Sequence, residues 1–128
     1  MSTHKSPTQR QLRVGEEIRH ILAESLFLRH SGDPLLDRSS ITVTEVRVSP
    51  DLQNATVFVL PLGGLQVPEI LAALKENSKY FRKCVAQKLK TRIAPRLFFQ
   101  PDLSFENASK IESLLNSLKK DKNPSSTD

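Results

Sequence analysis

Residues 41–62 read ITVTEVRVSPDLQNATVFVLPL, and this stretch decides the fold. Apolar β-branched residues alternate with polar ones from 39 to 49, the pattern of a half-buried strand. The alternation changes parity, from Ile41 and Val43 to Val46 and Val48. A bulge near Thr44–Glu45 restores one buried face, because an extra residue returns the side chains after it to the same side. PDLQN (50–54) is a turn, with Pro50 at an early position and Asp51 or Asn54 able to bond local backbone. Residues 55–62 return as a second strand, whose pairing Pro61 ends. Two strands joined by so short a turn make an antiparallel hairpin.

Upstream, residues 10–29 carry Val14, Ile18, Ile21, Leu22 and Ser25 at helical spacing, with Thr8 as the candidate N-cap. Gly15 lowers helix propensity by roughly 1 kcal/mol against alanine without breaking the pattern. HSGDP (30–34) stops the helix. Downstream, residues 68–76 suit a helix with Pro68 in its first turn. A second helix is expected over 79–92, where Phe81, Val85 and Leu89 step by four on the buried side. Residues 96–102 form a short strand between Pro95 and Pro101, and 103–120 read as a terminal helix with Ile111, Leu114, Leu115 and Leu118 in its stripe. Phe58, Phe81, Phe98 and Phe99 are assigned to the core. The order describes an α+β domain with helices packed on a small sheet.

With 128 residues, one hydrophobic core is expected. The apolar share of 38% is modest because the ends are polar. Residues 1–9 and 119–128 are expected to be flexible tails, with the folded domain over 10–118. No run approaches the roughly 20 apolar residues of a membrane span, and no secretory signal is recognisable at the N-terminus. Cys84 is the one cysteine, so no internal disulfide forms. A cytoplasmic protein is expected, as a monomer, since nothing points to an obligate interface.

The net charge of +5 is unevenly placed. Residues 31–78 carry six acids against three bases, whereas 79–96 carry seven bases (Lys79, Arg82, Lys83, Lys88, Lys90, Arg92 and Arg96) and no acid. A rigid cationic helix of this kind displaces counterions from phosphates and positions the charges without reading sequence. Arg10, Arg13, Arg19 and His20 extend the surface if the first helix lies beside it. A solvated face with no partner is the simpler reading of a short charge run, but seven cations without an acid favour a polyanion. Tyr80, between cations, is the aromatic placed to stack on a base or ribose. With one tyrosine and no tryptophan, stacking of single-stranded bases is a weak expectation, and structured RNA a better one.

Catalytic readings find little support. Histidines 4, 20 and 30 all lie in the N-terminal quarter, away from Cys84, which reads as a semi-buried helix cysteine. The same scatter matches no metal spacing, and Gly63-Gly64 lacks the lysine and hydroxyl residue of a nucleotide loop. Neither metal nor cofactor is expected, and the protein is read as a binding factor and not an enzyme.

Several stretches then resemble ribosome-binding factor A sequences. They are Arg13-Val14 with Glu17-Ile18, Asp33-Pro34 with Leu36, and the hairpin from Ile41 to Leu52 with Ala55 to Val59. Leu74, Phe81-Arg82, Leu89, Arg92, Pro95-Arg96-Leu97, Phe99 and Asp102 continue the similarity, and Ile111 with Leu114-Leu115 closes it. The resemblance covers about residues 10–118. It implies a type II KH-like fold, αββααβ with a three-stranded sheet and an added C-terminal helix. It also implies binding to the free 30S small ribosomal subunit and its 16S rRNA, assisting late maturation and 5′-end processing without nuclease activity, and support of growth in the cold. Ribosome-assembly GTPases are left open as further partners. The family commonly has an Ala-x-Gly kink between its central helices, where this chain has Asn77-Ser78-Lys79. No Gly-x-x-Gly loop, the clamp of ordinary KH domains, is present. Arg10, Arg13, Arg19, Lys79, Arg82, Lys83, Lys88, Lys90 and Arg92 are the expected RNA contacts. The alternative is a module that binds a ribosomal protein or GTPase, with the basic face incidental; weak salt dependence would distinguish it.

Overall fold

The computed structural model describes residues 6–62, 66–90 and 94–104. Helix α1 (Gln9–Leu28) starts one residue before the expected boundary. Its cap is reciprocal: Gln11 N–H donates to the Thr8 hydroxyl, and Thr8 N–H donates to the Gln11 side-chain carbonyl. Val14, Ile18, Ile21, Leu22 and Leu26 form the buried stripe, and the Ser25 hydroxyl donates to the Ile21 carbonyl. Each large aliphatic side chain in that stripe contributes about 1.5–3 kcal/mol by leaving water. Arg29 ends the helix in the left-handed region, at φ 58°.

The segment read as a helix stop does more than stop one. Asp33 caps a short helix, α2 (Pro34–Arg38), by accepting from Leu35 N–H, and Pro34 occupies its first turn. Leu36 is fully buried beneath it. A five-residue helix with one buried residue carries too little periodicity to be seen in sequence. The Asp37 carboxylate accepts from Ser31 N–H and hydroxyl and from Gly32 N–H, and these bonds hold its pKa below the usual aspartate range. Gly32 takes φ 83°, a backbone angle that L side chains rarely adopt.

Strands β1 (Ile41–Val48) and β2 (Asn54–Pro61) form the antiparallel hairpin. Val43 pairs with Val59 and Glu45 with Phe58, so the register slips at Thr44 and the expected bulge is present. Val43 and Val48 therefore both reach the core despite their opposite parity. Strand β3 (Arg96–Pro101) adds in parallel beside β2, giving the order β1-β2-β3. A parallel neighbour requires a crossover, which α3 (Val67–Glu76) and α4 (Ser78–Lys88) supply.

The two helices part at Asn77, with φ −100° and ψ 17°. Its side-chain amide donates to the Ala73 carbonyl and, 44 residues back in sequence, to the Asp33 carboxylate. An interhelical break thus persists without glycine, pinned to the start of α2. Helix α4 ends at Lys88, four residues short of expectation, because Leu89 turns extended to bury its side chain.

Helices α1, α3 and α4 cover one face of the sheet, and the core lies between these two layers. Phe81 and Phe99 meet there edge to face, 5.9 Å between ring centroids. Gly15 lies where α1 crosses β1; a Cβ at that position would stand 2.6 Å from the Val46 carbonyl oxygen. The order is αββααβ with α2 inserted, as the family resemblance implied. Arg92, the tail residues 1–5 and 119–128, and all of the terminal helix expected over 103–120 except Leu103 and Ser104, lie outside the described residues.

Candidate nucleic-acid interface

Phe81 and Val85 turn one side of α4 into the core, and this fixes where its charges point. Lys79, Arg82 and Lys83 stand at helical neighbour spacing on the opposite, exposed side. Lys88 follows Lys79 by nine positions, about half a turn round at roughly 100° per residue. It faces α1 and pairs there with Glu24. The basic run is continuous in sequence but divided in space.

Helix α1 does lie beside α4, yet the flank it offers is partly acidic. Glu24 holds Lys88, and the Glu17 carboxylate accepts from the Lys90 backbone N–H at 3.1 Å. Arg19 donates to Glu16, whose carboxyl is held below the usual glutamate range chiefly by that bond. His20 approaches the same carboxylate at 3.5 Å. Arg10 and Arg13 are exposed, and neither makes an ion pair among the described residues. Arg13 lies one turn before Glu17 on α1, the residue that meets the Lys90 backbone.

Arg82 has a second task. Its Nε and Nη2 both donate to the Ala94 carbonyl, at 3.1 and 3.0 Å, which ties α4 to the chain entering β3. Beside it lies a hollow of about 290 Å³ lined by Ser78, Lys79, Arg82, Arg96, Leu97 and Phe98. Three cations, a hydroxyl and the half-exposed Phe98 ring (48%) suit a phosphate with its attached sugar or base.

Arg96 and Phe98 were not among the expected contacts, and Phe98 was expected in the core. Strand alternation carries the signal, since Leu97 and Phe99 are buried and Arg96 and Phe98 lie between them on the other face. Phe58 likewise belongs to the outer sheet face, with the Arg47 guanidinium 5.1 Å from its ring centroid. Tyr80 departs from expectation in the opposite sense: it is half-buried, edge-on to Phe81 at 5.0 Å. Burial, then its contact with Cys84, pushes its hydroxyl pKa up.

Among the described residues no group of three His, Cys, Asp or Glu is placed to hold a metal ion, and no helix is long and apolar enough to cross a membrane.

Comparison with known proteins places this geometry. The family model for ribosome-binding factor A matches residues 10–115. Ribosome-binding factor A of Paramagnetospirillum magneticum is 53% identical over 113 residues, covering 88% of this chain and 80% of that one. The Rhodospirillum rubrum protein of the same name is 48% identical, covering 89% and 70%. The crystal structure of ribosome-binding factor A from Thermus thermophilus superposes with a TM-score of 0.61 at 26% identity, covering 71% of this chain and 94% of that one. A homology model of the Thermus thermophilus factor, fitted into a cryo-EM map of its complex with the 30S subunit, has a TM-score of 0.56 at 27% identity, covering 70% and 91%. From residues to fold to relatives, the chain belongs to the ribosome-binding factor A family, with its type II KH-like fold.

Proposed function

We propose that this protein binds the free 30S small ribosomal subunit through 16S rRNA and assists late maturation, including processing of the rRNA 5′ end, as a binding factor without nuclease activity. The observation that carries the reading is the exposed Lys79–Arg82–Lys83 face of α4, which continues into Arg96 and meets no carboxylate among the described residues. Cations on a rigid helix bind phosphates with affinity that falls steeply with salt. Lys79, Arg82, Lys83 and Lys90 are the main contacts, with Arg10, Arg13 and Arg92 at the margin. Lys88 and Arg19 contribute less, because Glu24 and Glu16 already neutralise them. The working unit is residues 10–118, acting as a monomer in the cytoplasm, with ribosome-assembly GTPases as further partners.

Co-sedimentation with purified 30S subunits, large subunits and whole ribosomes over a salt series tests this. Selective, salt-sensitive association with 30S subunits is expected. Replacing Lys83 and Lys90 together by glutamate is expected to reduce the slope of log affinity against log salt by at least about 1.4. Unchanged binding with an unchanged thermal melt would refute the surface assignment.

A protein-contact reading has its own place on the molecule. Phe27 (78% exposed) and Leu62 (67%) both lie near Ser40, the residue that precedes β1. Salt-independent binding that is lost on replacing Phe27 by serine would favour that reading.

A further inference from the structure

Asp33 and Asn77 are 44 residues apart in sequence, yet their side chains are bonded. The Asn77 amide donates to the Ala73 carbonyl at 2.8 Å and to Asp33 Oδ2 at 3.1 Å, so both its protons are engaged. The second carboxylate oxygen, Asp33 Oδ1, accepts from Leu35 N–H at 3.0 Å. Asp33 is also held through its backbone. Its N–H donates to the Ser31 hydroxyl, its carbonyl accepts from Asp37 N–H, and Pro34 keeps it extended, at φ −98° and ψ 114°. The carboxylate is thus an anchored acceptor, and the amide that meets it belongs to the break between α3 and α4.

A glycine at such a break would bend freely. An asparagine break takes the direction in which its side chain is held. Ser78 and Lys79 follow at once and line the hollow with Arg82, Arg96 and Phe98. Lys79 belongs to α4 and Arg96 to β3, so any change of direction at Asn77 alters the spacing between these two cations. The bonds from Arg82 to Ala94 tie the flank of α4, and the Asp33 bond ties its start. Two ties set a direction where one would allow a pivot.

We infer that Asp33, through Asn77, is a positioning residue for the cationic face of α4, on the reading that this face binds RNA. Cations held at a fixed spacing meet phosphates without first being ordered. Loss of the tie lowers the fraction of molecules in the binding geometry, and affinity falls with that fraction.

The test compares Asp33→Ser, Asn77→Ala and the double variant with wild type for binding to purified 30S subunits over a salt series, at a temperature where circular dichroism shows each fully folded. Serine keeps the cap on Leu35 N–H but leaves Asn77 without its acceptor. Each single variant is expected to bind about three- to tenfold more weakly, with an unchanged salt slope because no cation is removed. The double variant is expected to bind no more weakly than Asn77→Ala. The sign is informative, since on charge alone the loss of a carboxylate tightens binding to a polyanion. The exposed control Glu69→Gln is accordingly expected to bind as tightly as wild type or more so. In the free Asp33→Ser protein, hydrogen-exchange protection of the Asn77 and Phe81 amides, which bond to Ala73 and Asn77, is expected to fall by about tenfold or more. Asp33→Ser binding as tightly as wild type, additive losses in the double variant, or unchanged protection each overturn the inference while leaving RNA binding intact. A wild-type protein without salt-sensitive binding refutes the RNA reading itself, and the inference with it.

Discussion

Gly15→Ala is expected to destabilise the protein even though alanine is the better helix former. Propensity alone favours alanine by about 0.8–1.0 kcal/mol inside a helix. Against this, the new Cβ would stand 2.6 Å from the Val46 carbonyl oxygen, whereas ordinary contact begins at 3.4 Å. The separation has to grow by about 0.8 Å between a helix and a strand, and the opposing atom is backbone that cannot rotate aside. Val46 is also paired with Val57 just beyond the bulge, so moving it disturbs the hairpin register. Inserting a group into so tight a contact costs about 1–3 kcal/mol, and opening the α1–β1 interface adds lost burial. The net expectation is a loss of about 1–2 kcal/mol. For a domain of this size that lowers Tm by roughly 4–9 °C. Urea and thermal melts of the two proteins provide the assay, with the exposed substitution Arg13→Ala as a control expected to change stability by under about 0.5 kcal/mol. A Gly15→Ala protein as stable as wild type or more so, with an unchanged m-value, would refute the close-approach reasoning and leave Gly15 as an ordinary weak helix residue.

Other expectations follow from individual contacts. Arg82→Lys keeps the charge but loses the two-pronged bond to the Ala94 carbonyl, so stability should fall by about 1 kcal/mol while the salt dependence of RNA binding is retained. Glu24→Gln releases Lys88 and should tighten RNA binding, steepening the salt slope by up to about 0.9, with little change in Tm because both partners are exposed. Asp37 has its pKa lowered, first by the Ser31 hydroxyl, so the native state binds fewer protons than the unfolded one. Its stabilising contribution is therefore complete above the ordinary aspartate range near pH 3.9 and is lost as pH falls through the lower native value. Melts of Asp37→Asn should show a lower Tm at pH 7 and a shallower acid decline; identical pH profiles would show that the capping bonds carry no linkage.

Sequence alone determined those features that follow from local periodicity and chain punctuation. The hairpin, its bulge, the stripe of α1 and the break near Asn77 are repeats or interruptions of period 2 or 3.6, and the concentration of cations after residue 78 is a matter of counting; all are legible without knowing what packs where. Where a helix is five residues long, as α2 is, no period accumulates, and only its cap and its buried Leu36 reveal it. The family, too, was legible in the sequence, through residue patterns that physical reasoning would not have named.

Tertiary structure alone decided which charges act together. A linear run says nothing about azimuth, and the core direction of α4, set by Phe81 and Val85, separates Lys79, Arg82 and Lys83 from Lys88. The acids that neutralise Lys88 and engage Lys90 sit 64 and 73 residues away on α1, at a separation that no local pattern spans. Arg96 joins the site only because β3 lies parallel beside β2 and its start is tied to α4 through Arg82. The reason is common to all three: side-chain direction in an element is local, but the neighbour it meets depends on how distant segments pack.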